Sequence, residues 1–422
     1  MKNVYAEVVT IGDEILYGQT LDTNTQWIGQ QLHEAGIRIK RKLSIPDERE
    51  SIIQVLEEAS HRSDIVLITG GLGPTKDDIT KYTLAAYFDT KLVRNEEALE
   101  HIKALFSSRG RQITPTNEKQ ADLPEACTMI RNRMGTAPAM WFEKEGVIFV
   151  SMPGVPYEMQ CIMEEEVIPR LQTHFELPTI MHQMIQTVGI GESWLSDKIA
   201  DWEEQLPPHI RLAYLPSFGK VKLRLTASGD QKNELLADLH TQTQALLPLI
   251  QKFVFAVGDI SLEEAIGKML LQQQKTVALA ESCSGGFVAH SLTSIPGSSA
   301  YFQGAMVPYH NELKENVLGV RHDTLVQHGA VSEQTVVEMA EQVRQKMHAD
   351  FGLASSGVAG PGGGSDEKPV GTVWIAVASG VHTETQKLML TKDRLLNIKL
   401  TAVGLLNLLR KQFPEQYQWI RL

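Results

Sequence analysis

The feature that most constrains the fold is a regular alternation of short apolar runs and amphipathic segments at the start of the chain. Strands are predicted at Val4–Ile11, Ile37–Leu43 and Asp64–Thr69, and the helices between them are one that Asn24 can cap and one at Glu48–Ala59. Strands that alternate with helices indicate a parallel sheet with right-handed crossovers. Such a sheet binds its ligands at the carboxyl ends of its strands.

Length and composition predict a multidomain globular protein of a reducing compartment. The 422 residues are too many for one ordinary core, and a content of 42% hydrophobic and 22% charged residues is typical of globular chains. Three widely spaced cysteines without a CxxC pair indicate neither disulfides nor a thiolate zinc site, so we expect a cytoplasmic protein. The N-terminus soon becomes acidic and no apolar run approaches the length of a membrane span, so neither a signal peptide nor membrane association is expected.

The charge balance argues against a general nucleic-acid binder. The formal net charge is −11, from 40 Lys and Arg residues against 51 Asp and Glu residues. Nucleic-acid binding needs a basic face, which this balance does not favour. A local basic pocket for a small anionic substrate is compatible with it.

Three polar, glycine-bearing segments follow predicted strands in the N-terminal region: Gly12-Asp13-Glu14 with Asp22-Thr23-Asn24, the loop at 70–78, and Met152-Pro153-Gly154-Val155-Pro156. The middle segment joins a glycine loop, whose N–H groups can bind phosphate, to two acids that can hold a divalent cation. It lacks the Gly-Lys-Ser/Thr spacing of a Walker loop. Capping of the next helix by these acids is the alternative interpretation. The residues concerned are Gly70, Gly71, Gly73, Asp77 and Asp78.

The stretch from Thr69 to Thr80 resembles the signature loop of the molybdopterin-binding fold. With Gly-Asp-Glu-Ile-Leu at 12–16, Leu-Asp-Thr-Asn at 21–24 and the 152–156 segment, it is similar to the N-terminal domain of the CinA (competence/damage-inducible) family. The resemblance implies a doubly wound, mostly parallel α/β domain over residues 1–172. It also implies metal-dependent pyrophosphatase activity on nucleotide sugars such as ADP-ribose.

The same resemblance assigns residues to this predicted site. Asp78 matches the acid of the molybdopterin-type loop, and Asp22 is expected to be the second ligand of the divalent metal ion. Ala139 stands where the family pattern leads us to expect glycine. A molybdopterin or nucleotide binder without hydrolysis is the alternative for this domain. Nucleotide binding is expected at Gly70, Gly71, Gly73, Asn24 and Gly154.

The pattern of apolar residues over 173–256 predicts a small α+β module. Strands at Ile180–Val188 and Lys220–Ala227 accompany helices at Trp194–Glu204 and Gln231–Ile250, and the family resemblance implies a KH-like domain here. The GXXG clamp with basic neighbours that a nucleic-acid-binding KH domain needs is absent from the sequence, and the first helix is acidic. We therefore expect a spacer or dimerisation module, and with it a homodimer.

In the C-terminal region, the segment Glu281-Ser282-Cys283-Ser284-Gly285-Gly286 lies between a predicted strand and a predicted helix. This position offers Ser282 as a nucleophile together with backbone N–H groups and the positive end of a helix dipole. Such a site suits attack on a carbonyl carbon or binding of a phosphate. A tight turn that simply requires glycine is the alternative.

Two further features of this region have chemical potential. Asn311 can cap a helix whose first turn contains Lys314, and the helix dipole and partial burial would both lower the pKa of that lysine towards the range of a general base. Ser-Lys pairs activate nucleophiles in this way, and Tyr309 can relay a proton or position the substrate. A solvated lysine at a helix start is the alternative. The glycine run at 360–364 ends another strand and exposes its backbone.

A series of motifs in this region resembles the C-terminal domain of CinA and the stand-alone nicotinamide mononucleotide deamidases of the PncC type. The motifs lie at 280–286, 296–302, 309–314, 329–332, 359–364 and 368–374. The resemblance implies an α/β amidase domain over residues 257–422 that needs no cofactor. It would convert nicotinamide mononucleotide to nicotinate mononucleotide and ammonia, a reaction of pyridine nucleotide salvage and NAD metabolism.

Carried over by motif, Ser282 is the nucleophile, and Lys314 and Tyr309 assist it. Ser284 replaces the family's usual threonine, while His310 and Leu313 replace smaller residues. The combined prediction is a bifunctional hydrolase whose small-molecule partners are pyridine nucleotides and ADP-ribose. A non-catalytic scaffold in DNA uptake or recombination is the alternative. Substrate binding is expected at Gly285, Gly286, Gly360, Gly362, Gly363 and Arg394.

Overall fold

The computed structural model describes residues 3–75, 78–108, 110–415 and 418–421. The chain divides into two compact units, residues 1–181 with 228–232 and residues 182–227 with 233–422. The three-domain division of the sequence stays a prediction. In the described ranges, no helix combines the length and the apolar character that a membrane span requires.

The first unit alternates strands and helices as predicted. Its strands are β1 (Tyr5–Ile11), β2 (Arg38–Ile45), β3 (Ile65–Thr69), β4 (Leu92–Arg94), β5 (Asp122–Pro124), β6 (Thr128–Ile130), β7 (Ala139–Lys144) and β8 (Val147–Met152). Its helices are α1 (Asp13–Leu16), α2 (Thr23–Glu34), α3 (Arg49–Ser60), α4 (Thr80–Tyr87), α5 (Glu96–Ser108), α6 (Pro115–Glu118), α7 (Pro156–Ile162) and α8 (Ile168–His174), with a 3₁₀ turn at Lys119–Ala121 and a π-helical turn at Met163–Val167.

The main sheet of this unit is doubly wound, in the order β2-β1-β3-β8-β7-β6. The first four strands of that order are parallel, and β7 and β6 form an antiparallel edge. Val8 and Leu67 pack on the side of α2, whereas Val9 and Ile68 pack on the side of α3, so both faces of the sheet are covered. The strand order reverses between β1 and β3, and such a switch point opens a ligand crevice at the carboxyl ends of the strands.

The second unit begins with a small α+β module. Its elements are β9 (Thr179–Val188), α9 (Glu192–Glu204), β10 (Ile210–Ser217), β11 (Lys220–Gly229), α10 (Lys232–Ile250) and β12 (Val254–Val257). They form a sheet in the order β10-β11-β9-β12, and the final strand of the chain, Ile420–Arg421, adds to its edge beside β12. This module agrees with the KH-like middle fold that was predicted.

The rest of the second unit is a mixed α/β layer structure. Its sheet runs β14-β13-β15-β16-β17, in which β13, β14 and β15 are parallel and β16 and β17 are antiparallel to their neighbours. A π-helical turn at Lys314–Leu318 follows the helix α13. In chain order, the elements are α11 (Leu262–Gln272), β13 (Val277–Glu281), α12 (Phe287–Thr293), β14 (Phe302–Met306), α13 (Asn311–Leu313), α14 (His322–His328), α15 (Glu333–Lys346), β15 (Phe351–Gly357), β16 (Thr372–Ala378), β17 (Thr383–Met389), α16 (Arg394–Arg410) and β18 (Ile420–Arg421).

The two faces of this sheet differ in side-chain size. Large residues such as Leu279 pack with α11 and α16, whereas Ala278 and Ala280 pack with α15 and with Leu318 of the π-helical turn. A Cβ at Gly352 would lie 2.1 Å from the carbonyl oxygen of Ala340, so the backbone of α15 rests directly on β15. Small residues thus bring α15 and the π-helical turn close to the sheet.

Two predicted helix starts are corrected by the structure. Asp22, not Asn24, caps α2, because its carboxylate accepts a hydrogen bond from the N–H of Thr25. Asn24 lies inside the first turn. Asn311 is likewise the first residue of α13 rather than its cap, and α13 passes at once into the π-helical turn that begins at Lys314.

Candidate active sites

The predicted amidase residues follow three adjacent parallel strands. Ser282 comes directly after β13, Tyr309 follows β14, and the glycine loop at 360–364 follows β15. Because β14, β13 and β15 are neighbours and parallel, their carboxyl ends meet at one edge of the sheet. The topology therefore brings segments that are far apart in the chain to one candidate site.

The turn that holds Ser282 is organised by the buried carboxylate of Glu281. This side chain is 0% exposed and accepts hydrogen bonds from the N–H groups of Gly286 (3.1 Å), Val288 (3.1 Å) and Ala289 (2.7 Å). It thus occupies the first turn of α12. Gly285 and Gly286 have φ angles of 62° and 95°, a left-handed pair that favours glycine.

The backbone N–H groups of the two predicted substrate-binding glycines of this turn already have acceptors. The N–H of Gly286 is bound to Glu281, and the N–H of Gly285 donates to the carbonyl of Ser282 at 3.1 Å. Among the described residues, the N–H groups of Cys283 and Ser284 donate to no backbone carbonyl. The residue after a nucleophile on a strand-to-helix turn is a common oxyanion donor in hydrolases, so these two N–H groups are the better candidates for such a role.

Ser282 is positioned by β15. It is 8% exposed, its N–H donates to the carbonyl of Ser355 at 3.0 Å, and its hydroxyl has no hydrogen bond to any described residue. The hydroxyl oxygens of Ser284 and Ser355 are hydrogen-bonded at 2.7 Å. The turn is therefore fixed while the Ser282 hydroxyl stays available. Sequence patterns did not point to Ser355, because its only signal is its place on a neighbouring strand.

Lys314 is the most deeply buried amine of this region. It is 1% exposed, and its Nζ donates to the carbonyl of Pro308 at 2.9 Å and to that of Tyr309 at 3.5 Å. No described carboxylate forms an ion pair with it. Burial lowers the pKa of Lys314, and its proximity to the Cys283 thiol raises that pKa to a smaller degree. A neutral amine has two N–H donors, which match these two carbonyls, and its lone pair is then free to accept a proton.

Cys283 behaves as a packing residue. It belongs to the hydrophobic cluster on the α11 side of the sheet, and burial raises the pKa of its thiol to about 12. A thiol that stays protonated at neutral pH is a poor nucleophile. Ser282 therefore remains the candidate nucleophile of the turn.

Arg394 joins two other predicted site segments. Its guanidinium donates to the hydroxyl of Tyr309 at 2.6 Å and to the carbonyl of Gly360 at 2.7 Å. Asp393 caps α16, so the helix start holds Arg394 in place. The amide of Asn397, which the sequence prediction missed, donates to the carbonyl of Ala359 at 2.9 Å and fixes the start of the same loop.

The glycine loop at 360–364 leaves room for a ligand beyond Gly360. Gly362 and Gly363 are exposed, and a Cβ at Gly362 would have no described atom within 4 Å. Gly360 itself is buried, and a Cβ there would lie 2.6 Å from Val370. Gly360 thus has a packing role, while the next glycines are open to a substrate.

In the first unit, a cavity of about 430 Å³ opens at the carboxyl ends of β1 and β3, the predicted switch point. It also has Glu14 and Asp47 in its wall. Asp47 follows β2, so the rule that ligands bind at the carboxyl ends of parallel strands could have identified it from the sequence. The cavity brings together all the predicted N-terminal residues: Asp22, Asn24, Gly70, Gly71, Gly73, Asp78 and Gly154.

We call this space the acidic cavity. Glu14, Asp22, Asp47 and Asp78 line it, and the described lining contains no Lys, Arg or His. Burial raises the pKa of Asp47, and the nearby charges of Asp13, Glu14 and Asp78 raise it further. Uncompensated carboxylates of this kind fit a divalent cation. In the described ranges no cluster of three or more His, Cys, Asp or Glu side chains is in position to hold a metal ion.

Both predicted metal ligands also hold the backbone. The carboxylate of Asp22 accepts from Thr25 N–H and from the hydroxyl of Thr10, each at 2.9 Å. The carboxylate of Asp78 accepts from Gly73 N–H and Thr75 N–H, each at 2.8 Å. Each carboxylate keeps free lone pairs for a cation. The other predicted acid, Asp77, lies outside the described residues.

Hydrogen bonds within the protein occupy two of the three N–H groups that the loop glycines at 70, 71 and 73 were expected to offer to phosphate. The N–H of Gly70 donates to the carbonyl of Met152 at 3.1 Å, and the N–H of Gly73 is bound to Asp78. Of these three glycines, only Gly71 has an N–H without an acceptor among the described residues. A Cβ at Gly154 would lie 3.3 Å from Cα of Gly70, so these two glycines serve close backbone packing.

Asn24 links the elements around this cavity. Its amide nitrogen donates to the carbonyl of Gly154 at 2.8 Å and to the hydroxyl of Thr69 at 3.1 Å. Its Oδ1 is buried without a described partner. Asn24 is therefore a structural residue with one acceptor to spare for a ligand.

Family models match three consecutive parts of the chain. The "Probable molybdopterin binding domain" matches residues 7–173, the "Damage-inducible protein CinA KH domain" matches 182–256, and the "CinA C-terminal domain" matches 259–413. A CinA-like protein of Cytophaga hutchinsonii is 50% identical over 98% of this chain and 99% of its own length. The chain belongs to the CinA family. A CinA-like protein of Flavobacterium psychrophilum is 45% identical, over 90% of this chain and 92% of that relative.

Solved structures are similar to part of this CinA-family protein. "The protein CinA with unknown function" from Thermoplasma acidophilum is 36% identical, with a TM-score of 0.37, and the match covers 39% of this chain and 98% of that structure. The competence/damage inducible protein CihA from Agrobacterium tumefaciens is 35% identical, with a TM-score of 0.34, over 36% of this chain and 94% of that structure. The family resemblance that the motifs predicted is confirmed by the three family models and by the full-length relatives.

Cys283 of this CinA-family protein should resist alkylation. With its thiol pKa raised to about 12 by burial, Cys283 should stay unmodified in the native protein at about pH 8, where an exposed thiol reacts. Peptide mass mapping after iodoacetamide treatment measures this, and the urea-unfolded protein, in which Cys283 should react fully, is the control. Rapid native modification of Cys283 would contradict the assignment.

Proposed function

We propose that the C-terminal region hydrolyses the carboxamide of nicotinamide mononucleotide, with Ser282 as the nucleophile and Lys314 as the general base. The observation that carries this proposal is the state of Lys314, a buried amine without a described carboxylate partner, whose two N–H donors are already matched. Burial lowers the pKa of such an amine, which makes it a better candidate for a general base than an exposed lysine.

In the first half of the reaction, Ser282 Oγ attacks the carboxamide carbon while its proton passes to Lys314. The oxyanion that forms accepts hydrogen bonds from the N–H groups of Cys283 and Ser284, each worth about 3 kcal/mol in comparable sites. The C–N bond then breaks, and Lys314 returns the proton to the departing nitrogen, which leaves as ammonia. The product of this half is an acyl ester on Ser282.

Water completes the cycle by attacking the acyl ester while Lys314 takes up one of its protons. The bond from the acyl carbon to Oγ breaks, and the proton returns to Ser282. One carboxamide and one water thus yield one carboxylic acid and one ammonia. The same groups serve both halves, since a base that accepts a proton in the first step donates it in the next.

Arg394 and Tyr309 are proposed to position the substrate. Arg394 uses two of its N–H groups on Tyr309 and Gly360, which leaves others for the phosphate of the mononucleotide. The ring of Tyr309 is half exposed at the site and can lie against the pyridinium ring. The exposed backbone at Gly362 and Gly363 offers further contacts.

For the N-terminal region we propose a metal-dependent pyrophosphatase that acts on ADP-ribose and related nucleotide sugars. The acidic cavity supports it, because four carboxylates without a described cationic neighbour suit a divalent ion. Asp22 and Asp78 would hold that ion, with Glu14 and Asp47 beside them; when bound, it neutralises phosphate charge and activates water. The free N–H of Gly71 and Oδ1 of Asn24 would orient the nucleotide.

The same proposal includes a cytoplasmic homodimer. The three cysteines are free thiols, as expected in a reducing compartment. Pyridine nucleotides and ADP-ribose are its proposed small-molecule partners.

Replacing the nucleophile should abolish deamidation. Ser282→Ala should lower ammonia release from nicotinamide mononucleotide by at least about a thousandfold, because no acyl ester can form. Ser294→Ala, which removes the same hydroxyl from an exposed serine just after α12, is the matched control and should stay within a few-fold of the unmodified enzyme. Ammonia release that Ser282→Ala leaves unchanged would sink the nucleophile assignment.

Deamidation should rise with pH and reach its plateau below the ordinary lysine range. Only neutral Lys314 can accept the Ser282 proton, and burial lowers the pKa of Lys314 from its usual value of about 10.4. Below the lowered pKa, kcat/KM should fall about tenfold per pH unit. Lys314→Arg should be inactive throughout, because arginine stays protonated. A flat profile, or a midpoint at or above about 10.4, speaks against Lys314 as the base.

Hydrolysis of ADP-ribose should require a divalent cation. The protein should form AMP and ribose 5-phosphate with Mg²⁺, and EDTA should stop this reaction without affecting deamidation in the same sample. Asp78→Asn should lower ADP-ribose hydrolysis at least about a hundredfold, because a metal-assisted step loses a charged ligand. Tight binding of ADP-ribose without any hydrolysis in Mg²⁺ would instead favour the non-hydrolytic nucleotide binder.

A further inference from the structure

A second, smaller cavity adjoins the acidic cavity at Gly71 and Gly73, in the glycine loop that follows β3. Its volume is about 50 Å³, and Lys81, Lys119 and Gln120 are in its wall. It shares Gly71, Gly73 and Asp78 with the acidic cavity, so one loop borders both spaces. The two cavities differ in charge, because basic residues line only the smaller one among the described residues.

Lys81 brings an under-compensated charge to the smaller cavity. It lies in the first turn of α4, and its Nζ donates to the carbonyl of Lys119 at 2.6 Å. In the described ranges no carboxylate forms an ion pair with it. Asp122, whose charge raises the pKa of Lys81, is itself paired with Arg94. Burial has the larger effect and lowers that pKa.

Gln120 provides an independent sign of a ligand-binding site. The residue is 5% exposed and lies in the 3₁₀ turn Lys119–Ala121, and its Oε1 is buried without a partner among the described residues. Its amide nitrogen makes no described hydrogen bond either. Buried amides are normally satisfied. Since the nitrogen and oxygen of a glutamine amide can be exchanged by a simple flip, either one can face a bound group.

The charges of both cavities suggest what that group is. A phosphoanhydride substrate has two adjacent phosphates, and the acidic cavity can accept one only together with a cation. The other phosphate needs a cationic or N–H-bearing site within reach, and the smaller cavity has an ammonium, an amide and the positive end of α4. Its volume suits a single phosphate group rather than a nucleoside.

We propose that the cavity formed by Lys81, Gln120 and the glycine loop is a phosphate subsite, which binds one phosphate of the phosphoanhydride while the acidic cavity binds the other with the cation. This proposal rests on the proposed pyrophosphatase function. Lys81 is then a substrate-binding residue, and Gln120 completes the phosphate's hydrogen bonds. The glycine loop lies where the two phosphates meet.

Binding of inorganic phosphate to the full chain tests the subsite directly. Isothermal titration at constant ionic strength should show millimolar or tighter binding, which Lys81→Gln weakens at least about tenfold because a charge-assisted hydrogen bond is lost. Lys91→Gln is the matched control, since Lys91 is an exposed lysine of the same unit paired with exposed Glu125. It should bind phosphate as the unmodified protein does. Phosphate binding at any other site of the chain should be the same in all variants, so it does not affect the difference between Lys81→Gln and Lys91→Gln.

Gln120→Leu provides a second variant in case Lys81→Gln folds poorly. It removes the unpaired amide, so the protein should keep its melting temperature and yet bind phosphate several-fold more weakly. The subsite is overturned if the unmodified protein does not bind phosphate, or if Lys81→Gln and Gln120→Leu bind it as tightly as Lys91→Gln does.

Kinetics with ADP-ribose separate this proposal from the function on which it rests. Lys81→Gln should lower kcat/KM for ADP-ribose at least about tenfold and leave deamidation of nicotinamide mononucleotide unchanged. If the unmodified protein does not hydrolyse ADP-ribose at all, the pyrophosphatase function fails, while the phosphate titration still decides the subsite. If hydrolysis occurs and Lys81→Gln leaves it unchanged, the subsite alone is wrong.

Discussion

The hydrogen bonds of the buried Glu281 carboxylate are the interaction on which the proposed amidase site depends. A fully buried carboxylate without a cationic partner is costly unless hydrogen bonds satisfy it, and here three backbone N–H groups do so. They tie the end of β13 to the first turn of α12, so the intervening residues must form one tight turn. Two left-handed glycines make that turn possible. Because Glu281 takes the helix N–H groups, the N–H groups of Cys283 and Ser284 are the ones left without an acceptor, beside Ser282.

The position of Lys314 depends on how α15 and the π-helical turn pack on one face of the C-terminal sheet. Alanines on one face of β13 and the glycine at 352 let α15 lie close to the sheet, and Leu318 of the π-helical turn joins that cluster. The turn is thereby held against the strands, and Lys314 at its start becomes buried. Burial then lowers the pKa of this lysine. The proposed base thus depends on side-chain size at positions that do not themselves react.

The two candidate sites use the same topological position with opposite charge. Each lies at the carboxyl ends of parallel strands, where loops from several strands meet. The acidic cavity presents carboxylates and is suited to a cation with phosphates. The amidase site presents Arg394 and Lys314 and is suited to an anionic mononucleotide. The two charge patterns therefore suit different nucleotide substrates, so the two proposed activities can coexist in one chain.

The sequence by itself determined the strand and helix order, the α/β class and the family, because apolar periodicity and contiguous motifs are local properties. It also placed Ser282, Asp22 and Asp78 at strand ends, and the structure brings the N-terminal residues around one cavity. Only the tertiary structure decided which backbone N–H groups are free. Gly70, Gly73, Gly285 and Gly286 looked like donors, yet each already has an acceptor: the carbonyl of Met152 for Gly70, and the nearby residues Asp78, Ser282 and Glu281 for the other three. Met152 reaches Gly70 only because β3 pairs with β8, and the nearby acceptors are in place only once each turn has its folded conformation. A sequence pattern therefore shows that a backbone donor is present, but only the tertiary structure shows whether that donor is free.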